Sequence, residues 1–378
     1  MREKGLESLE AQFGEVADPR VQGRIEHRLI DIILIAVCGV ICGANSWSEI
    51  ETYGKAKIGW LRRFLELPNG IPSHDTFGRV FSLIEAEAFT DCFMRWIEGV
   101  FRVTDGQVVA IDGKSARRSH RKTIGQDAIH LVSAWASANR LSLGQLKVAD
   151  KSNEITAIPE LLKLLDVQGC IVTIDAIGTQ KEIATTIIER HADYILALKG
   201  NQPHLLADVQ EWFAYAQQRG WQDVPHTYAE SLNKVSGRVE IRRLWAIEDP
   251  LAFDYIRHYQ GWTGLRSLIL LQRERRLDAQ SSTECAFYIS SLPADAPRLL
   301  QAIRDHWSIE NTCHWSLDVI FGEDASRVRI GHAPQNFALL RRLALSVLKQ
   351  DTSKASLNQK RFRAALEDDF LLHLLSQF

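Results

Sequence analysis

Hydrophobic residues recur at helical spacing through roughly the first hundred residues of the chain. They do so in Leu29–Gly43, Trp60–Leu67 and Ala88–Phe101. The apolar run from Leu29 to Ala44 is only about 16 residues long, whereas a membrane-spanning helix needs about 20, and Asp31 interrupts it. We therefore predict an all-helical domain over residues 1–104, in which this run forms a buried helix.

The pattern changes after Gly106, where β-branched and apolar residues follow one another without helical spacing. Such runs predict buried strands at 107–112, 129–136, 141–148, 170–175 and 194–198. Amphipathic helices are predicted between the later strands, at 155–165 and 180–190. Three strands, helix, strand, helix, strand is the order of a ribonuclease-H-like fold. We expect an α/β domain with a mixed sheet and flanking helices.

Residues 200–292 have a different pattern of hydrophobic residues. A helix at 205–217 precedes strand-like runs at 239–247, 267–273 and 286–290. Helical spacing then returns at 297–320 and 336–349. We predict a domain over residues 105–350 that is interrupted by a β-rich insertion at 200–292. A C-terminal helical tail follows at 351–378.

Overall composition excludes few classes of function. The 378 residues carry a formal net charge of −2, so any argument for nucleic-acid binding has to rest on local charge. Six scattered cysteines without CxxC spacing indicate buried, reduced thiols. The polar N-terminus lacks the pattern of a signal peptide, which predicts a cytoplasmic, nucleoid-associated protein without membrane contact. The absence of a Walker-type loop predicts no ATP requirement.

Two aspartates stand at the ends of predicted buried strands. Asp112 follows Val108–Ile111 and Asp175 follows Ile171–Ile174. A carboxylate at the edge of an apolar core is costly unless it is paired or binds a cation. In open α/β sheets, functional sites lie at the carboxyl ends of the strands. The alternative is that each aspartate only caps the turn that follows it.

Glu310 is the third candidate acid. On a regular helix it shares a face with apolar, aromatic and imidazole side chains, namely Ile303, His306, Trp307, His314 and Leu317. That placement argues against a solvated glutamate and favours metal ligation, with a buried salt bridge, for example to Arg304, as the alternative. Zinc is disfavoured because the spacing of His306, Cys313 and His314 fits no zinc pattern. We expect supporting roles, such as orienting the acids or contacting phosphate, for His306, Trp307, Asn311 and His314.

Three carboxylates without a soft ligand suit Mg²⁺ or Mn²⁺. Two such ions about 4 Å apart can activate a hydroxyl nucleophile and stabilise the leaving oxygen of a phosphodiester. The sequence thus predicts that Asp112, Asp175 and Glu310 are both the catalytic residues and the metal ligands.

Basic residues form two groups that can contact DNA. The first is a basic loop beside Asp112, consisting of Lys114, Arg117, Arg118, Arg121 and Lys122. The second lies on the insertion, where strand alternation places Arg238, Glu240 and Arg242 on one face. A solvated loop and an ordinary cross-strand ion network are the respective alternatives.

Several motifs resemble those of DDE transposases related to the H-repeat-associated proteins of Rhs elements. In the predicted catalytic domain they are Ile111-Asp112-Gly113-Lys114, Thr173-Ile174-Asp175-Ala176, Ser236-Gly237-Arg238-Val239-Glu240 and His306-Trp307-Ser308-Ile309-Glu310-Asn311. The N-terminal segment resembles the helical domain associated with these enzymes, through Asp18-Pro19-Arg20 and Ile71-Pro72-Ser73-His74-Asp75-Thr76-Phe77. The resemblance covers essentially the whole chain, in order.

The resemblance implies a DNA transposase that cleaves and joins double-stranded DNA at the inverted-repeat ends of its element. It also implies that Asp112, Asp175 and Glu310 match the catalytic acids. A homodimer is expected because two ends must be brought together. In related enzymes a basic residue often follows the glutamate, where Leu317 stands in this chain. Two alternatives remain: a catalytically idle DNA-binding relic, and a ribonuclease-H-like nuclease that only hydrolyses.

Overall fold

The structure, a computed structural model, describes residues 4–23, 25–100, 105–120, 127–148, 153–235, 238–277 and 280–377. The chain forms two compact units, each assembled from separate stretches of sequence. Unit 1 consists of Met1–Arg102, Gly113–Lys151 and Ile309–Phe378. Unit 2 consists of Val103–Asp112 and Ser152–Ser308. The expected domain boundaries at residues 104 and 350 stay predictions.

The N-terminal part of unit 1 is helical, as predicted. Serine side chains begin two of its helices: Ser46 accepts a hydrogen bond from the Glu49 N–H and Ser73 accepts one from the Thr76 N–H. The long apolar run forms a helix with twelve buried residues. The helices are α1 (Lys4–Phe13), α2 (Leu29–Ile41), α3 (Trp47–Leu61), α4 (His74–Leu83) and α5 (Ala86–Val100).

The strands and helices expected after Gly106 are present, in the predicted order. One difference is that the first strand does not end at Asp112 but continues to Ser115. The elements are β1 (Val108–Ser115), β2 (His130–Ala136), β3 (Leu141–Lys147), α6 (Glu154–Leu164), β4 (Ile171–Ile174), α7 (Lys181–Glu189) and β5 (Asp193–Leu198).

The predicted insertion is rich in strands but contains more of them than expected. One strand, β6, and one short helix, α9, were not predicted, and the last two strands are longer than the predicted runs at 267–273 and 286–290. The elements are α8 (Pro203–Gln218), β6 (Thr227–Val235), β7 (Arg238–Ile247), α9 (Pro250–Tyr255), β8 (Ser267–Leu277) and β9 (Gln280–Ser290).

The single helix predicted at 297–320 is wrong, because the structure divides this segment into three. A π-helical turn, Ile309–His314, follows α10 and precedes α11. The remaining elements are α10 (Ala296–His306), α11 (Trp315–Val319), α12 (Ala333–Gln350), α13 (Leu357–Leu366) and α14 (Asp368–Leu375).

In unit 1 the buried helix α12 packs against α2, α4, α5 and β3. Strands β2 and β3 pair antiparallel, and the Ser142 N–H donates to the hydroxyl of Ser346 on α12. None of the described helices is long and apolar enough to cross a membrane.

Unit 2 is built on a mixed sheet in the order β1-β4-β5-β9-β8-β7-β6. Strands β1, β4 and β5 are parallel, whereas β9, β8, β7 and β6 pair antiparallel with their neighbours. Helix α10 packs against β4, β6 and β7. Its buried face, with Leu299 and Ile303, joins Val108, Ile171 and Leu244 in one hydrophobic core. The insertion strands therefore extend the same sheet that carries the two aspartates.

Candidate active site

Asp112 and Asp175 follow directly on the last paired residues of two neighbouring parallel strands, β1 and β4. Ile111 on β1 pairs in parallel register with Ile174 on β4, so each aspartate comes one residue after this pair. Neighbouring strands lie about 4.8 Å apart. The two strands are thus adjacent in the sheet, and both aspartates are half-buried.

The Asp175 side chain also caps the turn that follows it. Its Oδ1 accepts a hydrogen bond from the Ile177 N–H at 3.1 Å, at the start of the 3-10 turn Ala176–Gly178. Gly178 is required there, because a Cβ atom would collide with the Ile174 side chain. The capping contact weighed in the sequence analysis is thus present, and it fixes the carboxyl group at the end of β4.

The electrostatic surroundings of Asp175 disfavour its charged form. Burial raises the pKa of this carboxyl, and the nearby Glu154 adds to the rise. The Gly178 and Ile177 N–H groups and Lys199 oppose it. Glu154, in the first turn of α6, was not a sequence candidate. A cation at the end of β4 would relieve the repulsion between these carboxylates.

His306 packs the end of α10 onto β4. Its Nδ1 lies 2.9 Å from the hydroxyl oxygen of Thr173, two residues before Asp175. Burial lowers the pKa of His306 to about 4, so the ring is neutral near pH 7. A neutral ring that is hydrogen-bonded to the strand suits the expected orienting role better than electrostatic attraction of phosphate.

Glu310 lies in unit 1, in the π-helical turn Ile309–His314. Its side chain is exposed, as are those of Trp307, Asn311 and Trp315. The expectation of an acid within a packed apolar stripe is therefore wrong, and so is the alternative of a buried salt bridge. The physical reason is the π turn, which has more residues per turn than an α-helix and so changes the face to which each residue belongs. Such turns occur frequently at functional sites.

Cys313, in the same turn, is fully buried. Burial raises the pKa of its thiol to about 12. Within either unit, and over the residues that the structure describes, no three His, Cys, Asp or Glu side chains are grouped closely enough to hold a metal ion.

The structure describes only part of the basic loop. The charge of its first residue, Lys114, is neutralised by nearby carboxylates. The Lys114 ammonium lies 2.6 Å from Asp318, 3.3 Å from Glu323 and 3.3 Å from Asp324. Burial lowers the pKa of Lys114, but these acids outweigh it and raise the pKa above its usual value.

Arg117 and Arg118 are exposed. Arg117 Nε lies 3.3 Å from Asp324, and the Arg118 carbonyl accepts a hydrogen bond from Arg329 Nε. Arg121 and Lys122 lie outside the described residues.

On the insertion, Arg242 pairs with Glu240 at 2.8 Å, and Arg238 is exposed at the start of β7. The ion network that was the alternative to phosphate binding is therefore present. Three further arginines that were not predicted from the sequence, Arg273, Arg275 and Arg304, lie near Arg242. Burial lowers the pKa of Arg242, and these three guanidinium groups lower it further. The cross-strand register brings Arg273 and Arg275 close to Arg242, and the packing of α10 on β6 and β7 adds Arg304. A single sequence reveals neither.

Comparison with known proteins identifies two matching regions. The model of the DDE_Tnp_1-associated domain matches residues 11–97 and that of the transposase DDE domain matches residues 98–347.

Among curated relatives, the H repeat-associated protein YhhI of Escherichia coli K12 is 37% identical over 98% of both chains. The transposase-like protein YncI of Escherichia coli O157:H7 is 38% identical over 98% of this chain and 95% of its own. An uncharacterized protein in the dhlA 3′ region of Xanthobacter autotrophicus is 44% identical over 75% of this chain and 94% of its own. Among solved structures, a piggyBac transposase synaptic complex with hairpin DNA aligns over 97% of this chain and 77% of its own. The TM-score is 0.41 and the identity 10%, which is too distant to assign the fold.

Proposed function

We propose that this chain, which belongs to the family of transposase DDE domains, is a DNA transposase with a ribonuclease-H-like catalytic core. It would cleave and join DNA at the inverted-repeat ends of an insertion-sequence-like element. The observation that carries the proposal is the position of Asp112 and Asp175, each one residue beyond the paired Ile111 and Ile174 on adjacent parallel strands.

Asp112, Asp175 and Glu310 are the proposed metal ligands and catalytic residues. The donor set fits hard divalent cations, because carboxylate oxygens suit Mg²⁺ and Mn²⁺, and because the surroundings of Asp175 raise its pKa in the absence of a cation. When bound, two such ions neutralise phosphate charge and promote attack by a hydroxyl group. Glu310 is included because the family resemblance matches it to the third catalytic acid. Its side chain is also exposed, in the π-helical turn Ile309–His314.

The remaining roles belong to the residues around the acids. The turn Ala176–Gly178 holds the Asp175 carboxyl by its N–H groups. Asn201 donates to the Ala176 carbonyl, and Thr179 donates to the Ala197 carbonyl at 2.5 Å, so this turn is fixed to the segment around the end of β5. We propose that His306, held on Thr173, positions the end of α10. Trp307, Asn311 and His314 are proposed to support DNA contact.

Double-stranded DNA is the proposed partner, with a homodimer as the unit that brings two ends together. Among the predicted contacts, Arg117, Arg118 and Arg238 have exposed side chains. Arg242 is partly buried, and Arg121 and Lys122 stay predictions. Lys114 is a weaker candidate, because three carboxylates already surround its ammonium group.

The proposal is tested with labelled DNA that carries the sequences flanking the coding region. The intact protein should cleave this DNA with Mg²⁺ or Mn²⁺ and not with EDTA. Asp112→Asn, Asp175→Asn and Glu310→Gln should each abolish cleavage without loss of folding. Asparagine at 175 can still cap the following turn.

Glu87→Gln, an exposed substitution on α5, serves as the control and should cleave normally. Unchanged cleavage by any one of the three acid variants would remove that residue from the site. Specific end binding without cleavage by the intact protein would favour the idle relic. Cleavage without any joining would favour the hydrolytic nuclease.

A further inference from the structure

One face of the insertion sheet carries more positive than negative charge. Strand register places Arg242 on β7 opposite Arg273 on β8, and Glu240 opposite Arg275. Helix α10 adds Arg304, which lies close enough to lower the pKa of Arg242. We call Arg242, Arg273, Arg275 and Arg304 the arginine cluster.

Two carboxylates form ion pairs with members of the arginine cluster, and a third lies near Arg304. Glu240 lies 2.8 Å from Arg242 and 3.5 Å from Arg275. Glu284, on β9, lies 3.5 Å from Arg273 and is 60% exposed. Arg304 approaches an uncharged amide: with its oxygen turned toward them, Asn233 accepts hydrogen bonds from Arg242 at 2.8 Å and from Arg304 at 3.2 Å. Arg304 is also near the Asp305 carboxylate, whose pKa it lowers against the larger effect of burial. Four guanidinium groups therefore face three carboxylates, and the cluster keeps a net positive charge.

Two polar groups on this face have no hydrogen-bond partner among the described residues. The Nε of Arg273 is buried and makes no hydrogen bond. The hydroxyl of Ser231, opposite Arg242 in the strand register, is likewise buried and unpaired. A buried donor without an acceptor costs free energy, so the protein's own side chains do not fully satisfy the polar groups of this face.

An aromatic ring borders the cluster. The guanidinium carbon of Arg273 lies 5.4 Å from the centroid of the Trp307 ring, and that tryptophan is 38% exposed. A cation over an exposed indole is held in place by cation–π attraction, so we regard Trp307 as a positioning residue for Arg273.

The opposite face of the same strands is charge-balanced. Arg243 pairs with Glu230 at 2.8 Å and with Glu274 at 3.0 Å, and Arg276 pairs with Glu274 at 2.5 Å. Here two arginines meet two carboxylates, at distances no longer than 3.0 Å. This face lacks the excess positive charge that would attract an anion, and it provides a matched control.

The cluster lies near the end of α10 that contacts β4. Arg304 is two residues before His306, a rise of about 3 Å along a helix. His306 contacts Thr173 on β4, the strand that leads to Asp175. A polyanion held by the cluster would therefore lie near the helix end that packs beside the candidate acids of unit 2.

We propose that the arginine cluster is a binding site for the phosphate backbone of DNA, formed by strands β7 and β8 and the last turn of α10. The inference rests on the proposed function for the identity of the polyanion. It extends that function to Arg273, Arg275 and Arg304, which the sequence analysis did not assign to DNA. The fork geometry of guanidinium suits phosphate oxygens.

The test compares two double variants that remove the same charge from opposite faces of one sheet. Binding of a duplex of unrelated sequence is measured with EDTA present, over a series of salt concentrations. Arg275→Gln with Arg304→Gln should weaken binding by on the order of 10- to 100-fold. The slope of log K against log salt should become less negative by roughly 2.

Arg243→Gln with Arg276→Gln should leave both the affinity and the salt slope close to those of the intact protein. Equal losses in the two double variants, or no loss in the first, would overturn the proposal. Because no cleavage is measured, this result is independent of the metal-dependent reaction. A chain that binds through the cluster but never cleaves would retain this proposal and lose the proposed function.

A second measurement guards against misfolding of the cluster variant. Inorganic pyrophosphate should raise the Tm of the intact protein and of the Arg243→Gln, Arg276→Gln variant. It should leave the Tm of the Arg275→Gln, Arg304→Gln variant unchanged. An equal rise in all three proteins would place the anion site elsewhere and contradict the proposal.

Discussion

Lys114 in unit 1 and the arginine cluster in unit 2 are both basic, but their surroundings differ. Three carboxylates lie within 3.3 Å of the single Lys114 ammonium, whereas the four arginines of the cluster share three nearby carboxylates, Glu240, Glu284 and Asp305. The first arrangement is internally neutralised and the second is not. We therefore use the charge left after pairing, rather than the number of basic residues, as the criterion for a proposed DNA-binding surface.

The carboxylates around Lys114 are tied to the core of unit 1 through Glu323. This side chain is 1% exposed and pairs with Arg342, which is fully buried, at 3.0 Å. Burial raises the pKa of Glu323, but Arg342, Lys114 and Arg341 outweigh it and hold the pKa at about 2. Lys114 therefore belongs to a structural ion network.

The largest effect expected from this comparison is on stability. Glu323→Gln leaves Arg342 and Lys114 without their shared carboxylate and should lower the free energy of unfolding by about 3–5 kcal/mol. Urea denaturation of the full chain measures the change. Asp324→Asn, at a more exposed partner of the same lysine, should cost less than about 1 kcal/mol. Similar losses for the two variants would refute a special role for the buried glutamate.

A smaller effect on stability is expected at Lys114, together with an unchanged salt response. Lys114→Gln removes charge-assisted hydrogen bonds and should lower the free energy of unfolding by about 1.5–3 kcal/mol. Because the ammonium is already neutralised, the salt slope of DNA binding should stay as in the intact protein. If Lys114→Gln made the salt slope of DNA binding less negative by as much as the Arg275→Gln, Arg304→Gln variant does, Lys114 would be a DNA contact. The contrast between Lys114 and the arginine cluster would then be wrong.

The smallest expected effect concerns Trp307, which positions Arg273 within the cluster. Trp307→Ala removes a cation–π contact of about 0.5–1 kcal/mol, so duplex binding should weaken roughly two- to fivefold. Trp307→Phe keeps an aromatic face and should recover part of the loss. Equal binding by the alanine variant and the intact protein would remove Trp307 from the binding surface.

The sequence was sufficient to predict the two strands that lead to the candidate aspartates, although β1 continues past Asp112 to Ser115. Val108–Ile111 and Ile171–Ile174 are continuous apolar runs, and continuous apolar runs are typical of strands buried on both faces. Strand β6, Thr227–Val235, was missed because its residues alternate without a strong apolar face, and Leu232 on it is 61% exposed. The strands β1 and β4 could be predicted because they are buried, whereas β6 is more exposed and carries no continuous apolar run.

Two features of the candidate site could not be predicted from the sequence. Projection onto a regular helix placed Glu310 in a packed stripe, but the π turn at Ile309–His314 leaves it exposed. The pairing of Lys114 with Asp318, Glu323 and Asp324 joins residues about two hundred positions apart in the chain. A single sequence carries no signal for such pairing.

The most direct test of the central claim is strand transfer of a pre-cleaved element end. A labelled duplex that ends in a free 3′-hydroxyl is incubated with a supercoiled plasmid, Mg²⁺ and the intact protein or its Asp175→Asn variant. The account predicts covalently joined product with the intact protein and none with the variant, although the variant still binds the duplex. Joining by the variant at the intact level, or no joining by an intact protein that binds the end, would contradict it.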